Sequence, residues 1–179
     1  MSDRLQTREQ TLQLLRNSGC RDNVIEHVKA VSDLAVEIAQ ACRDRGLNVD
    51  LQLVEIGALL HDIGRSKTHS VHHAVVGAEI VRSLNMPEAV VSIVRRHVGG
   101  GITAGEARKL GWPKDVYVPQ TLEEKIVSYA DKLVQGSKRV PMAKAIEAFS
   151  KELPPAAVDR MRRLHAEMRT LIGDCECLP

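Results

Sequence analysis

Aromatic residues are nearly absent from this sequence, since one Trp, two Tyr and one Phe make up 2% of its 179 residues. Proteins that hold single-stranded nucleic acid by stacking on its bases need several rings for that purpose. The formal net charge is only +2, so no strongly basic surface compensates for this lack of rings. We therefore do not expect nucleic acid to be the partner.

Long apolar runs are also missing. No stretch approaches the ~20 apolar residues that span a bilayer, and the first five residues lack the apolar centre of a signal peptide. We expect no membrane association and a cytoplasmic location. The four cysteines agree with a reducing compartment. We expect Cys175 and Cys177 to form an inert reduced tail, because no second cysteine pair is available to complete a zinc site.

Signals for strands, repeats and linkers are equally scarce. Residues 116–118 are the best candidate strand, and Pro119 cuts that segment short. Elsewhere apolar residues recur at helical spacing. We therefore predict an all-α fold, a single-domain helical bundle over residues 1–179. Its core would span about residues 23–134, and its C-terminal helices about residues 141–172.

Several local signals mark the predicted helix ends. Capping boxes, in which Thr is followed three residues later by Gln or Glu, begin at three positions: Thr7, Thr103 and Thr121. Asp50 can cap the helix that runs up to His61, and Gly19 and Gly46 follow the first two helices. Pro87, Pro141 and the pair at 154–155 suit first helical turns. These signals leave little of the chain outside helices.

The most informative stretch is an adjacent histidine and aspartate, His61 and Asp62, at the end of an apolar helical segment. An imidazole nitrogen beside a carboxylate oxygen forms a corner that suits a transition metal. Two ligands do not complete a site, so further ligands must come from elsewhere in the chain. The candidates are His27, His73, His97 and Asp131.

These candidates share one property, which is that each lies on the apolar face of a predicted helix. His27, for example, is followed at helical spacing by Val31 and Ile38. A lone inward histidine is commonly a hydrogen-bonded core residue, and a lone inward Asp131 could form a buried salt bridge. Five separate inward positions, counting His61, would each need a partner of their own. A shared metal centre compensates all of them at once.

Two neighbouring histidines compete for one of these positions. A helical step of seven leads from His73 to Ile80 but from His72 to Glu79, so His73 is the better candidate for the inward role. We expect His69 to lie in a loop near the site and His165 to lie at the surface.

The whole series of His27, His61-Asp62, His73, His97 and Asp131, each in helical context, resembles the HD-domain metal-dependent phosphohydrolases. Residues 73–78, 94–97 and 128–132 are similar to the ligand segments of the two-metal subgroup, which includes bacterial symmetrical dinucleoside tetraphosphate hydrolases. Over residues 23–134 the likeness is greatest to an uncharacterised, mainly archaeal branch of the superfamily. The resemblance implies a fold and a chemistry, but no substrate.

Carried over by position, the resemblance implies a centre for one or two divalent transition metal ions. One ion would be held by His27, His61, Asp62 and Asp131. Asp62 would bridge to a second ion, which His73 and His97 complete. Fe, Mn, Co and Ni all suit such ligands. The implied chemistry is attack on phosphorus by a metal-activated hydroxide.

Three basic side chains are candidates for holding a substrate phosphate: Arg65, Lys67 and Lys132. With Asp62 they form our predicted catalytic set, although each could instead be a solvated or ion-paired residue. Arg96, beside His97, is open to the same two interpretations. We expect the stretch from Gly99 to Gln120 to border the substrate. Trp112 could stack on a base, but packing is the preferred interpretation.

Together these observations predict a metal-dependent phosphohydrolase. Its substrate would be a small phosphorylated molecule, and the enzyme would cleave a phosphate ester or anhydride of a nucleotide, a dinucleotide or a similar compound. One alternative is an HD-type di-iron oxygenase, and another is a non-catalytic regulatory module with an HD fold. Such modules usually lack some ligands, whereas all six are present here. A homo-oligomer is compatible with the sequence.

Overall fold

The computed structural model describes residues 5–173, and α-helices make up most of this part of the chain. Nine α-helices occur there: α1 (Arg8–Asn17), α2 (Asp22–Asp44), α3 (Leu51–Leu60), α4 (His73–Ser83), α5 (Glu88–Arg96), α6 (Ala104–Lys109), α7 (Leu122–Lys132), α8 (Met142–Phe149) and α9 (Pro155–Ile172). The predicted all-α bundle is confirmed. Cys175 and Cys177, in the predicted inert tail, lie outside the described residues.

The predicted helix starts are built as the sequence indicates. At Thr7, Thr103 and Thr121 the hydroxyl accepts from the backbone N–H three residues later, and the Gln or Glu at that position accepts from the backbone N–H of the threonine. The Asp50 carboxylate accepts from the Leu53 N–H at 3.0 Å and caps α3. Local sequence therefore fixes where these helices begin.

The small β content differs from the prediction. Two strands of two residues each, β1 (Val134–Gln135) and β2 (Lys138–Arg139), pair antiparallel in a hairpin that turns at Gly136. Strands this short carry no alternating pattern, so they cannot be recognised from the sequence. Within the described residues, the predicted strand candidate at 116–118 forms one bridge, in which the Ile102 N–H donates to the Tyr117 carbonyl at 3.0 Å.

Helix α2 is the centre of the bundle. Its 23 residues make it about 35 Å long, and it packs against α3, α7 and α9. Its N-terminal half contributes Val24, Ile25 and Val28 to one apolar cluster with α1, α3, α4 and α5. Its C-terminal half packs in a second cluster with α7, α8 and α9. No helix between residues 5 and 173 is long and apolar enough to cross a membrane.

A close backbone contact joins the turn after α3 to the start of α4. The 3₁₀ turn Ile63–Ser66 lies directly against α4, and a Cβ atom at Gly64 would meet the His73 carbonyl oxygen at 1.9 Å and the Gly77 nitrogen at 2.8 Å. Only glycine allows this approach without backbone movement. The contact brings the segment after Asp62 against the helix that carries His73.

We expect Gly64→Ala to lower the free energy of unfolding by at least about 3 kcal/mol, because the new methyl group would overlap backbone atoms that cannot yield. Gly105→Ala is the matched control. Its Cβ atom would meet nothing within 4 Å, so that variant should be neutral or more stable by up to about 1 kcal/mol. Urea unfolding followed by circular dichroism measures both, and equal stability of the two variants would contradict the close contact.

Candidate metal centre

The six predicted ligands lie within five helices or just after their ends, and their side chains meet in one place. His27 and Asp131 lie within α2 and α7, and His73 is the first residue of α4. His61 and His97 directly follow the last residues of α3 and α5. Four of the six are buried: His61, Asp62, His73 and His97. Ionisable groups withdrawn from water to this extent require compensating partners.

Each of the four imidazoles is oriented by one backbone carbonyl. Nδ1 lies 2.6–2.7 Å from a carbonyl oxygen in every case, and the pairs are His27 with Gly136, His61 with Ala58, His73 with Ser70, and His97 with Val94. A carbonyl can only accept, so we assign the proton to Nδ1 in all four rings. In a neutral ring the Nε2 atom then carries a lone pair, which is the form that binds a metal.

The Nε2 atoms point towards one another and towards two carboxylates. His73 Nε2 lies 3.1 Å from His97 Nε2, although neither atom has a proton to offer when its ring is neutral. Within residues 5–173, His61 Nε2 and Asp62 Oδ1 are buried and have no hydrogen-bond partner. The 3.1 Å approach of His73 Nε2 to Asp62 Oδ1 lacks the direction of a hydrogen bond. Converging lone pairs and an unpaired buried carboxylate oxygen fit a divalent cation.

Asp62 lies between two halves of the cluster. Its Oδ1 atom is 3.1 Å from His73 Nε2 and 3.6 Å from His97 Nε2. Its Oδ2 atom is 3.9 Å from His27 Nε2 and 3.8 Å from His61 Nε2. The two carboxylate oxygens therefore face different pairs of histidines.

Asp131 completes the half that contains His27 and His61. Its Oδ1 atom lies 3.1 Å from His27 Nε2 and 3.4 Å from His61 Nε2. Two overlapping groups have ligand atoms that all lie within 4.8 Å of one another: His27, His61 and Asp131 form one, and His61, Asp62 and His97 form the other. This donor set of imidazole and carboxylate suits a transition metal ion.

The surroundings of the cluster favour ionised carboxylates at Asp62 and Asp131 and a neutral ring at His97. Burial alone would raise the pKa of Asp62, but the surrounding imidazoles outweigh it and hold the pKa well below its usual value. Burial also opposes ionisation of Asp131, whose pKa is nevertheless held far below normal, mainly by the Lys132 ammonium. Burial lowers the pKa of His97 to about 4, so this ring is neutral at pH 7.

His27 differs from His97 in this respect. Burial lowers its pKa, but the hydrogen bond and charge of Asp131 outweigh burial, and the net shift is upward. A metal ion at His27 Nε2 would therefore compete with a proton for the lone pair of that atom.

Two of the predicted phosphate-binding cations lie at the cluster. The Arg65 Nε–H donates to Asp62 Oδ2 at 2.6 Å. The buried Lys132 ammonium pairs with Asp131 Oδ2 and donates to the His97 carbonyl at 3.3 Å. Lys67 is exposed and is not among the residues that line the cavities beside the cluster, so its role stays a prediction.

Arg96, a further candidate for holding a phosphate, instead forms an ion pair with a buried glutamate. Its guanidinium donates to both carboxylate oxygens of the buried Glu124, at 2.8 and 3.0 Å, and to the Val116 carbonyl at 3.1 Å. Glu124 also accepts from the Gln120 N–H at 2.6 Å. Arg96 therefore holds the end of the Gly99 to Gln120 stretch against α7.

Trp112 is a packing residue, as preferred from the sequence. It is buried, its ring lies 4.8 Å from that of Tyr117, and its indole N–H donates to His72 Nδ1 at 2.8 Å. His72 thus has a partner outside the cluster, and the choice of His73 for the inward position agrees with the geometry. The exposed His69 lies by the site, since it lines a cavity with His27 and Asp62.

Two predicted positions differ in the structure. His165 was expected at the surface, but it is only partly exposed, and its Nδ1 atom lies 2.8 Å from the Tyr129 hydroxyl. Its helix α9 packs against α7, which accounts for this burial. Helical spacing also predicts that Leu84, eleven residues after His73, lies on the same inward face. Leu84 is instead 41% exposed, because α4 already ends at Ser83.

The sequence missed two kinds of site residue. Gly136 orients His27 through its carbonyl, and its hairpin gave no sequence signal. The second kind is an apolar wall beside the cluster, to which Phe149, Leu153 and Ala157 contribute. Their apolar spacing indicates burial, but it does not indicate which neighbour they face. Of the Gly99 to Gln120 stretch, Gly99 and Ile102 reach this wall.

The helical bundle thus brings four histidines and two aspartates into one inward cluster, and two groups of its ligand atoms lie close enough together to hold a metal ion. A comparison with protein families finds the HD domain over residues 24–135. The chain belongs to the HD domain family, and with this cluster it fits the metal-dependent hydrolases of that family.

The similarity to individual proteins extends beyond residues 24–135. An uncharacterized protein of Methanocaldococcus jannaschii is 47% identical over 166 residues, which are 92% of this chain and 98% of that protein. A tRNA (cytidine(56)-2'-O)-methyltransferase of Thermoplasma volcanium is 46% identical over 162 residues, or 90% of this chain. The match covers 46% of that relative, so the chain spans about half of its length.

A solved structure shares the fold. The HD domain of the Listeria monocytogenes phosphodiesterase PgpH, in complex with cyclic-di-AMP, has a TM-score of 0.51 and 21% sequence identity. The similarity covers 92% of this chain and 98% of that one. At this identity the likeness concerns the fold alone.

We expect the purified protein to carry stoichiometric transition metal and His61→Ala to lose most of it, because His61 belongs to both ligand groups. His72→Ala removes a neighbouring imidazole outside the cluster and should keep its metal. Inductively coupled plasma mass spectrometry gives the content, and circular dichroism shows whether the helices persist. Metal near zero in wild-type protein grown with ample metal would contradict the assignment.

The Arg96–Glu124 pair predicts a stability effect separate from metal. Arg96→Ala leaves the Glu124 carboxylate, 4% exposed, without its cation, and we expect a loss of about 3 kcal/mol in the free energy of unfolding. Arg139→Ala breaks a similar two-point pair with Glu37, but that pair is 36% and 46% exposed, so its loss should stay below about 1 kcal/mol. Urea unfolding compares the two, and an equal loss would contradict this role of Arg96.

Proposed function

We propose that the protein is a metal-dependent phosphohydrolase that acts on a nucleotide or another small phosphorylated molecule. The observation that carries the proposal is the position of Asp62, whose two carboxylate oxygens face two different pairs of histidine Nε2 atoms. A carboxylate placed in this way can bridge two metal ions. His27, His61 and Asp131 would hold one ion with it, and His73 and His97 the other.

The chemistry that divalent ions supply at such a centre is a lowered pKa for an attacking water and stabilisation of charge on the phosphoryl oxygens. The protein's own residues add positive charge beside it. Among the described residues Arg65 donates only through Nε, to Asp62, so its other N–H donors would be available to orient a phosphate. Lys132 neutralises Asp131 and lines the same cavity. These two cations would position the phosphate, and Asp62 would hold the metal ions.

Two cavities adjoin the cluster and share His27 and Arg65. One is about 280 Å³ and also includes Asn23, Asp62 and His69 in its lining. The other is about 320 Å³ and includes Lys132 together with several apolar side chains. Small-molecule sites start at about 300 Å³, so the first cavity lies slightly below this range and the second at its lower end. They support a small substrate, and the PgpH domain, which is bound to cyclic-di-AMP, is consistent with one that contains a nucleotide.

RNA is a second candidate substrate. The Thermoplasma relative is named as an enzyme that acts on tRNA, and a ribonuclease Y of Acidothermus cellulolyticus is 40% identical over 77 residues, which are 15% of that enzyme. Either protein shares only part of its length with this chain. A short RNA therefore belongs in the activity test beside mononucleotides and dinucleotides.

We expect metal-dependent phosphate or nucleotide release in a screen of mononucleotides, diadenosine tetraphosphate, a cyclic dinucleotide and a short RNA with Mn, Co, Ni and Fe. Asp62→Ala should lower the rate by at least about a thousandfold, because it removes the ligand shared by both halves of the cluster. His72→Ala is the control and should retain activity.

Two outcomes would contradict this proposal. Full activity in Asp62→Ala would show that hydrolysis comes from another site or another protein. Absence of hydrolysis together with substrate-dependent O₂ uptake by the iron-loaded protein would favour the oxygenase alternative.

A further inference from the structure

The larger cavity has two chemically distinct kinds of lining. Every ionisable side chain in it belongs to the metal cluster or to its two cations, Arg65 and Lys132. The remaining lining side chains are apolar, and among them are Val71, Ile102 and Phe149. Outside the cluster, therefore, none of the described lining residues offers a side-chain hydrogen bond. A bound molecule would meet charge on one side and apolar surface on the other.

Part of this apolar surface lies outside the segment that the HD family shares. Phe149 ends α8, Leu153 lies in the turn that follows, and Ala157 is in α9, whereas the family match ends at residue 135. The Leu153 N–H donates to the Phe149 carbonyl at 2.8 Å and fixes this turn. Phe149, the single Phe of the chain, is partly exposed at the cavity. The C-terminal helices thus add an apolar wall to a metal centre built by the other helices.

We infer that this cavity binds the nucleoside part of one nucleotide, through apolar surface and not through contacts that read base edges. The inference rests on the proposed function in one respect, namely that the phosphate lies at the cluster. A base has two apolar faces and can stack on Phe149. Ribose 5-phosphate carries the same sugar but no flat ring, so it would lack this stacking contact.

Size and lining together define the expected selectivity. A cavity of about 320 Å³ lies near the lower limit of small-molecule sites, which suits one nucleoside and not two. Apolar pockets discriminate weakly between groups of similar shape, by about ten- to a few hundredfold, whereas sites with matched hydrogen bonds reach much larger ratios. The protein should therefore accept all four bases with similar affinity.

The test is equilibrium binding by isothermal titration calorimetry to the full-length, metal-loaded protein. The probes are AMP, GMP, CMP and UMP, compared with ribose 5-phosphate, inorganic phosphate and octyl phosphate. We expect the four nucleotides to bind within about tenfold of one another, and each about tenfold or more tighter than ribose 5-phosphate.

Variants of α8 locate the effect. Phe149→Ala should weaken AMP binding about tenfold and leave inorganic phosphate unchanged, and Phe149→Leu, which keeps apolar volume without the ring, should weaken AMP in the same direction. Ile146→Ala is the matched control. Ile146 lies three residues earlier on α8, is also partly buried against the same core cluster, and is not in the cavity lining, so its loss should not change AMP affinity.

The inference is overturned by any of four results. These are ribose 5-phosphate binding as tightly as AMP, one base preferred by more than about a thousandfold, octyl phosphate binding tighter than every nucleotide, and equal loss of AMP affinity in Phe149→Ala and Ile146→Ala. Its failure is separable from that of the proposed function. If the protein hydrolyses phosphate esters but binds nucleotides no more tightly than ribose 5-phosphate, only the cavity assignment is refuted. If it binds nucleotides as expected but hydrolyses none of them, only the proposed enzymatic function is refuted.

Discussion

Four hydrogen bonds from imidazole Nδ1 to backbone carbonyls determine how the histidines of the cluster are oriented. They fix the proton on one side of each ring and direct the Nε2 lone pairs of His27, His61, His73 and His97 inwards. Three of the carbonyls lie three residues before their histidine, so the turn that carries each ring also orients it. Lone pairs that converge on buried carboxylates would repel one another without a cation, and a metal ion removes that conflict.

The surrounding fold maintains this convergence through contacts that leave little freedom. The backbone of Gly64 meets the start of α4 so closely that no side chain fits between them. The hairpin at Gly136 supplies the carbonyl that orients His27 from 109 residues away. Lys132 and Arg65 each pair with one of the two aspartates, and these pairs balance negative charge that burial would otherwise oppose. Geometry and charge at the centre therefore depend on segments that are distant in sequence.

Much of the fold and the inward position of five of the six candidate ligands could be predicted, because both follow from local patterns. Capping boxes fix helix starts, and helical spacing shows that His27 and Asp131 face inwards. Spacing does not show which inward residues meet. It could not reveal that Arg96 pairs with Glu124, 28 residues later, or that Phe149 reaches the cavity beside His97. The division of the ligands between two metal ions came from the resemblance to HD-domain enzymes. It is supported by the two carboxylate oxygens of Asp62, which face different pairs of histidines.

We propose that Asp62 joins two metal sites. X-ray diffraction from crystals of the manganese- or iron-loaded protein, collected at the absorption edge of the metal, tests it most directly. We expect two anomalous peaks on opposite sides of the Asp62 carboxylate, one beside His27, His61 and Asp131 and the other beside His73 and His97. A single peak that leaves His73 and His97 without metal, or peaks away from Asp62, would contradict it.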